Sequence, residues 1–525
     1  MRLDRVFING FKNLSNVEAD FDEGKLTTVI IGENGAGKSN LLEALVDIFR
    51  AIDMDRARPR YTYEIDYRID GHSVRLSNRS GGHQVIVDSK VLTKTEFKRQ
   101  KAQYFPDLIF GYYSGGSRRL EKLFDGHQRS YYDDIKLSDD LEVFRQANQN
   151  RRLFYCRPIH GVFALLSLFA FPDDAVIRLL KEKLGITGFH SSLALFREPW
   201  FAAGKKVESS DLWGARGPAG RCARAIRDAS FHPMRLNGNP IDDYRDKQQN
   251  EEQFACFLRN VASLSNLAAH FNSDQEMFIA LEAIDISDLI RELYLWVTRK
   301  ENTTGDVSYA DLSDGERQLL MVLGLIRASR GKRALFLLDE PDTHLNPAWQ
   351  HGYLELIRQW TGVAADAANC QIVMTSHNPL TIAALSKDEV RVMFRQDNGE
   401  VQVKPPYTDP RGMGFTATLT EIFGLPTTLD TETQRQLDER NTLARIEKRS
   451  ETQERLLIEL NDKLNRLGFM FEDREPLYQA FLQAMHEVRY ADKPPLSPDQ
   501  IAKRHSAMSH LIRSLMSSGA GEPKQ

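Results

Sequence analysis

Hydrophobic and polar positions change their pattern several times along this chain. Val17, Ala19 and Phe21 alternate with polar neighbours, as in a strand buried on one face. Leu26 to Ile31 is a largely apolar run that suits a central strand covered on both faces. With Leu3 to Ile8, these segments predict two strands, then a strand that enters a glycine-rich loop, then a helix. Tyr61, Tyr63, Ile65, Tyr67 and Ile69 keep strict period two, Gly71-His72 reads as a turn, and Val85 to Val87 as a further strand. That combination predicts a half-buried antiparallel sheet. Leu108 to Tyr113 predicts one more strand.

From about Glu121 to Glu301 the pattern becomes helical segments with irregular loops, one of which, Ala202 to Asn239, is rich in Gly, Pro and Arg. This predicts an inserted, mainly helical domain. No internal repeat with a period of roughly 20–50 residues is present. After Val307 strand and helix patterns alternate again to about Gly399. From about Thr433 the chain is helical and highly charged. Leu443, Ile446, Leu457, Leu460, Leu464 and Leu467 fit the a and d positions of one heptad frame that Ser450 and Gln453 interrupt. An amphipathic helix on the head or a two-helix hairpin fits this better than a long free coiled coil. The tail after Ser514 has the composition of a disordered end. The expected division is 1–120, 121–304, 305–425 and 426–525.

Composition narrows the class. With 525 residues the chain is too long for one ordinary core. Its 41% hydrophobic and 27% charged residues are those of a soluble globular protein. The longest nearly apolar run, Gly161 to Phe171, falls far short of the roughly 20 residues that span a bilayer, so no membrane association is expected. The four cysteines lie far apart without CxxC spacing, and no apolar signal segment precedes Leu3, so the expected location is the cytoplasm. A net charge of −4 excludes a globally basic nucleic-acid binder but not a local basic face. Lys98-Arg99-Gln100-Lys101, Arg118-Arg119, Arg151-Arg152 and the set Arg216, Arg221, Arg224 and Arg227 are the candidates, with solvated surface charge as the competing reading for each.

Five motifs carry chemistry. Gly32-Glu33-Asn34-Gly35-Ala36-Gly37-Lys38-Ser39 is a complete P-loop between a strand and a helix. Glycines there let backbone N–H groups face phosphates, and the helix N-terminus adds its positive dipole end. Asn34, Gly35, Gly37, Lys38, Ser39 and Asn40 are the expected ATP-binding residues, with Lys38 on the β- and γ-phosphates and Ser39 on Mg²⁺. Ala334 to Leu338 is an apolar strand ending in Asp339-Glu340. Asp339 is the expected second Mg²⁺ residue, through water, and Glu340 the group that orients or deprotonates the attacking water. Leu312-Ser313-Asp314-Gly315-Glu316-Arg317-Gln318 precedes an apolar helix and resembles the ABC signature, with Ser313 and Gly315 as nucleotide-binding candidates. Ser313 with Glu316 is also a capping box, and the two readings are compatible. His377, in Ser376-His377-Asn378-Pro379 after the strand Ile372 to Thr375, matches the ABC switch histidine in position and is the second catalytic candidate. Asp342-Thr343-His344-Leu345-Asn346-Pro347 stands at the D-loop position, where His344 could equally be a packing residue. No Q-loop glutamine follows the 108–113 strand; Tyr112-Tyr113-Ser114-Gly115 stands there.

The order P-loop, signature, Walker B, D-loop, switch histidine resembles ABC-type ATPases. With Gly10-Phe11-Lys12-Asn13-Leu14, it is similar to the heads of the SMC, Rad50, RecF and OLD clan. The stretches Phe110 to Gly115 and Thr420-Glu421-Ile422-Phe423-Gly424-Leu425 resemble more narrowly the ATPase subunit (PtuA) of Septu-type and retron-linked anti-phage systems. The resemblance implies an α/β fold: an ABC head of P-loop core and antiparallel β subdomain, with an inserted helical domain and C-terminal helices for assembly. It implies ATP and Mg²⁺ as cofactors and a homodimer or higher oligomer joined through head-to-tail ATP sites. It also implies an HNH nuclease partner and, in retron versions, a reverse transcriptase with its RNA–DNA product. No acidic DxD pair follows residue 400 and no HNH-like cluster occurs, so any nuclease activity is expected in a partner chain. The competing functions are a RecF-like DNA-repair clamp without an effector nuclease, a transporter ATPase, which the large insertion and atypical signature disfavour, and an ATP-binding scaffold that barely hydrolyses.

Overall fold

The computed structural model describes residues 1–55, 58–136, 139–199, 207–240, 250–301, 304–305, 307–364, 369–396, 399–446, 448–469 and 497–518. The chain forms two compact units, one of Met1–Ile30 and Gly37–Thr381, the other of Ile31–Ala36 and Ile382–Gln525.

The first unit begins with β1 (Arg2–Asn9), β2 (Val17–Asp20) and β3 (Thr27–Gly32), then α1 (Lys38–Met54). β4 (Thr62–Ile69), β5 (His72–Ser77), β6 (Gln84–Val87) and β7 (Lys90–Leu92) follow. They complete an antiparallel sheet of order β2-β1-β4-β5-β6-β7. The period-two residues Tyr63, Ile65, Tyr67 and Ile69 are all buried, as the alternation requires. That face packs on α1: Tyr67 lies 6.0 Å from the Phe49 ring, and Tyr61 donates to Asp47 at 3.0 Å. α2 (Lys94–Tyr104) starts at a Thr93/Glu96 capping box and leads into β8 (Leu108–Tyr113).

Residues 121–304 contribute α3 (Asp125–Ile135), α4 (Leu141–Asn150), β9 (Leu153–Tyr155), α5 (Ile159–Ala170), α6 (Asp174–Lys183), β10 (Ile186–Arg197), α7 (Gly217–Ala229), β11 (Met234–Pro240), β12 (Asn250–Leu258), α8 (Val261–Ala268), α9 (Asp274–Ile286) and β13 (Ile290–Arg299). The helices were expected; an antiparallel sheet of order β11-β12-β10-β13-β14, closed by β14 (Val307–Ser308), was not. Its central pairings, β10 with β12 and β10 with β13, join strands far apart in sequence, with α7 between β10 and β11 and α8 and α9 between β12 and β13, so no local turn signal announces them. Part of the 202–239 loop, residues 202–206, lies outside the described residues.

α10 (Asp314–Ala328), β15 (Ala334–Asp339), α11 (Pro347–Ala364), β16 (Cys370–Thr375) and α12 (Pro379–Ile382) follow. β3, β16, β15, β8 and β9 run parallel in that order. β15 and β16 are buried at every residue, which explains their continuous apolar sequence. α10 packs on α5, and the approach is close: a Cβ on Gly324 would lie 2.1 Å from the Ala164 Cβ, so only glycine fits.

In the second unit, β17 (Val390–Arg395) and β18 (Val401–Lys404) form a hairpin, followed by α13 (Gly414–Glu421). α14 (Thr431–Ala444) and α15 (Glu451–Arg466) make a helical hairpin around Leu443, Leu457 and Leu460. The heptad reading therefore resolves into a short hairpin, and Leu467, at 61% exposure, stands outside its core. α16 (Pro498–Ser518) is joined to this unit by His505 on Glu421 at 2.7 Å and Lys404 on Asp499. Residues 470–496 of the expected assembly region, and 519–525 of the expected disordered tail, lie outside the described residues. Among the described residues no helix is long and apolar enough to cross a membrane, and all four cysteines are buried and outside any disulfide.

Candidate functional site

The carboxyl ends of the parallel strands meet at one rim. Asp339, the last residue of β15, is in register with Thr375 of β16 and Tyr113 of β8, and Thr375 with Ile30 of β3. In parallel α/β sheets this rim is where ligands bind. The loop Gly32–Gly37 delivers the chain from β3 to α1. Gly37 caps α1 at φ 111°, and a Cβ there would lie 2.8 Å from Leu14, so Gly37 itself presses on the Gly10–Leu14 turn. Gly35 also has positive φ, 80°, and with Asn34 it is exposed to solvent.

Lys38 is buried at the start of α1. Next to it, Ser39 Oγ donates to Asp339 Oδ1 at 3.0 Å, and the same oxygen accepts from Thr375 Oγ1 at 2.6 Å. Burial pushes the Asp339 carboxyl above its usual range, and these two hydrogen bonds offset part of that push. Asn40 donates to Asn13 at 2.7 Å and accepts from Lys12, so it belongs to the same turn.

Glu340 is held from both ends. Its φ of 54° is left-handed, a conformation that costs a non-glycine residue about 1–3 kcal/mol and that persists where neighbours fix it. The Glu340 N–H donates to Thr375 Oγ1 at 3.0 Å, and Oε1 lies 2.9 Å from His377 Nε2. The hydrogen bond from His377 holds the Glu340 carboxyl below its usual range against the opposing effect of partial burial, with help from the charge of Lys38. The side chain is thus an ionised acceptor at neutral pH. Two loops are tied behind it: buried Asp342 accepts from Ser376 Oγ and Thr381 Oγ1, both at 2.6 Å.

At the N-terminus of α10, Ser313 and Glu316 form the reciprocal capping box: Glu316 N–H donates to Ser313 Oγ at 3.3 Å, and Ser313 N–H to Glu316 Oε2 at 2.8 Å. Ser313 is exposed and Gly315 buried. A Cβ on Gly315 would lie 2.7 Å from the His344 carbonyl oxygen, so His344 packs here through its backbone while its side chain faces solvent. Ser313 thus bonds within its own capping box, through Ser313 Oγ to Glu316 Oε2 at 3.0 Å. The structure therefore gathers Ser39, Asp339, Glu340 and His377, with Lys38 beside Ser39 at the start of α1.

Several neighbours of the site escaped the sequence reading. Thr375 bridges Asp339 and Glu340; its only signal is its place immediately before Ser376-His377. Buried Gln318, the last residue of the signature stretch, reaches the Glu340 carbonyl at 3.5 Å. Glu43, one helical turn beyond Ser39, pairs with Lys12 and lies 2.9 Å from Arg119. Other basic clusters are engaged internally: Arg151 bonds Glu282, Arg152 the Pro106 carbonyl, and Arg221, Arg224 and Arg227 backbone carbonyls of Asp139, Ala215 and Ser210.

Two family models match parts of the chain: "AAA ATPase domain" over residues 1–102 and "AAA domain, putative AbiEii toxin, Type IV TA system" over 219–383. The first span holds the P-loop; the second holds the signature, Asp339-Glu340 and His377. Among curated relatives, the Septu protein PtuA of Bacillus mycoides (strain KBAB4) is 23% identical over 30% of this chain, a match that covers 21% of PtuA. The Retron Vc95 probable ATPase of Vibrio cholerae serotype O1 biovar El Tor is 20% identical over 78% of this chain and 77% of its own length. Solved structures that overlap include the SMC head bound to the C-winged helix domain of ScpA (14% identity, 77% of this chain and 97% of that chain, TM-score 0.32). The recombination mediator RecF with ATP is another (13%, 77% and 97%, TM-score 0.28); overlaps this loose carry no argument. The two matching domains and the relatives' names agree with the P-loop and with Asp339-Glu340: the chain is an ATPase, similar to Septu PtuA and to a retron ATPase.

Proposed function

We propose that this chain is the ATP-hydrolysing regulatory subunit of an anti-phage defence complex that holds and controls a separate nuclease. The observation that carries the ATPase part is Glu340, fixed in a left-handed backbone by Thr375 and His377 beside the Ser39–Asp339 pair. The defence part rests on similarity to PtuA and the retron ATPase.

In this reading Asn34, Gly35, Gly37, Lys38, Ser39 and Asn40 bind the ATP phosphates. The neighbouring hydroxyl and carboxylate oxygens of Ser39 and Asp339 are hard donors that suit Mg²⁺, which would neutralise charge on the β- and γ-phosphates. Glu340, ionised at neutral pH, accepts the proton of the attacking water, and His377 keeps the carboxylate aimed. ADP and phosphate leave. Ser313 and Gly315 serve the nucleotide of a second copy of the chain: the exposed, capped N-terminus of α10 suits an anion supplied from outside. ATP thus joins two heads head to tail. The inserted segment and the C-terminal helices restrain the effector, an HNH nuclease in this proposal, with a retron reverse transcriptase and its RNA–DNA product as further components, in the cytoplasm. The proposed division of labour is 1–120 and 305–425 for the head, 121–304 for the insertion and 426–525 for assembly.

Glu340→Gln tests both halves. It removes the base and retains the shape, so the variant should bind ATP, stop turnover and accumulate as a closed dimer in light scattering. Affinity purification of that trapped form from its host, followed by mass spectrometry, should recover a nuclease subunit. Parent-rate hydrolysis would remove Glu340 from its role. A trapped dimer that retains duplex DNA and no nuclease would replace the defence reading with the DNA-clamp one.

A further inference from the structure

We infer that Arg119 is a nucleotide-binding residue of the ATP site that contacts the γ-phosphate from the β8 side, where a Q-loop glutamine would otherwise stand. The inference rests on the P-loop and Walker B reading above. β8 reaches the rim beside Asp339, and pairing continues one residue further, with Ser114 N–H on the Asp339 carbonyl at 3.2 Å. The chain then folds back through Gly115, where a Cβ would lie 2.3 Å from the Tyr113 Oη. This tight return brings Arg119 over the Tyr113 ring, its guanidinium 5.5 Å from the ring centroid. There Arg119 Nε lies 2.9 Å from Glu43 Oε1, and one terminal nitrogen lies 3.9 Å from Asp339 Oδ2.

The way Arg119 is held makes it available. Its side chain is 41% exposed. The Glu43 contact lacks hydrogen-bond alignment, since Glu43 Oε1 accepts no hydrogen bond, and the Asp339 contact is too long for one. Charge and the face of the Tyr113 ring place the guanidinium between the two carboxylates. Lys12 pairs with the other Glu43 oxygen, so Glu43 keeps a cation when Arg119 turns away. Ser39 and Thr375 both use Asp339 Oδ1, so Oδ2 loses only a distant charge. A phosphate oxygen pair offers the planar, bidentate acceptor that a guanidinium prefers. The γ-phosphate is the group that must lie within reach of Glu340, and Arg119 faces that rim through Asp339.

Calorimetric titration of parent, Arg119→Ala, Arg119→Gln and Arg119→Lys with Mg²⁺ plus either ADP or a non-hydrolysable ATP analogue tests this. The expected result is a loss of about tenfold or more for the analogue in Arg119→Ala and Arg119→Gln, the size of one charge-assisted hydrogen bond. ADP affinity should stay within about twofold, and Arg119→Lys should lie between. Equal losses for both nucleotides would make Arg119 a structural partner of Glu43 and overturn the inference; so would unchanged affinity for both. Thermal unfolding of each variant identifies one that has lost its fold, and the analogue-to-ADP ratio of the remaining variants then decides. Failure of the underlying reading has a different signature: a parent protein that binds neither nucleotide.

Discussion

Thr375→Val should separate ATP binding from turnover. Thr375 is fully buried, and its hydroxyl donates to Asp339 Oδ1 at 2.6 Å while it accepts the Glu340 N–H at 3.0 Å. Valine keeps the shape and removes both bonds. The bond to the carboxylate is worth about 1.5–3 kcal/mol. Asp339 is 2% exposed and would retain only Ser39 on that oxygen, so water does not replace the loss. The Glu340 N–H lies in a partly exposed residue, so its loss belongs at the low end of the roughly 1–3 kcal/mol cost of an unsatisfied group. Together these predict a loss of about 2–4 kcal/mol in urea unfolding followed by tryptophan fluorescence. Glu340 would also lose the side-chain bond to its N–H, leaving Thr343 and Gln318 on its carbonyl to hold the left-handed backbone. Relaxation moves the carboxylate off its aim, and a change worth about 1.4 kcal/mol in the transition state is already tenfold in rate. Steady-state phosphate release should therefore fall about tenfold or more, while affinity for a non-hydrolysable analogue, governed by Lys38 and the loop glycines, stays within a few-fold. A variant within about 0.5 kcal/mol of parent stability and with parent turnover would refute the bridge between Asp339 and Glu340.

Lys38→Ala should abolish calorimetric ATP binding, because the P-loop loses its cation for the β- and γ-phosphates; unchanged affinity would remove the P-loop assignment. Gly324→Ala would gain about 1 kcal/mol in an exposed helix, but here the new methyl meets Ala164, and a net loss of about 1–3 kcal/mol in denaturant unfolding is expected. Asp53→Asn should cost about 3–5 kcal/mol, since Asp53, 8% exposed, faces His127 and Lys101 at 2.7 Å and Arg152 at 3.5 Å. Burial pushes the Asp53 carboxyl up, but the hydrogen bond from His127 and the pairing with Lys101 outweigh it, and the net shift is downward. Its stabilisation is thus complete above the unfolded carboxylate pKa of about 4 and disappears as pH falls through the lower folded value. The difference between parent and variant in urea midpoints measured from pH 7 down to pH 3 should shrink at the acid end.

The parts of the fold that were legible in sequence are those written in consecutive residues. A P-loop is local: a strand, a glycine loop and a helix start, which Gly32 to Ser39 spell out. β15 and β16 are equally local, because a strand buried on both faces has to be apolar throughout, and each ends in its polar residue at the rim. The antiparallel sheet of the insertion was not legible. β10 meets β13 across about a hundred residues, for example Leu193 opposite Tyr294, and nothing in either strand names the other. The same limit hid the place that Thr375, Gln318 and Arg119 take at the site. Each is an ordinary polar residue in sequence and acquires its place only when β8, β15, β16 and α10 are assembled. In sequence Arg119 reads as half of a basic pair, with solvated surface charge as the competing reading. The 41% exposure of its side chain suits either reading; its place between Glu43 and Asp339 is what motivates the proposed role.

The insertion is braced against the signature helix along its length. Arg299, at the end of β13, pairs with Glu316 in the first turn of α10. Midway, Gly324 receives Ala164 of α5. At the far end Arg327, nearly buried, pairs with Asp274 at the start of α9 and Asp173 at the cap of α6. From the same helix Gln318 reaches the Glu340 carbonyl. A rigid α10 therefore connects three things: the insertion, the exposed Ser313 end and the backbone of the proposed catalytic base. In the proposed complex an effector that restrains the insertion would bias the position of Ser313, hence the closure of two heads around ATP. Linkage then fixes the reverse relation. If the effector lowers the affinity of closure for ATP by some factor, ATP lowers the affinity for the effector by the same factor, so nucleotide loading releases or reorients the partner. Weakening one brace, Arg299→Gln for example, should reduce that coupling and leave nucleotide binding by a single head intact, because Arg299 lies on the brace and not among Lys38, Ser39 and Asp339.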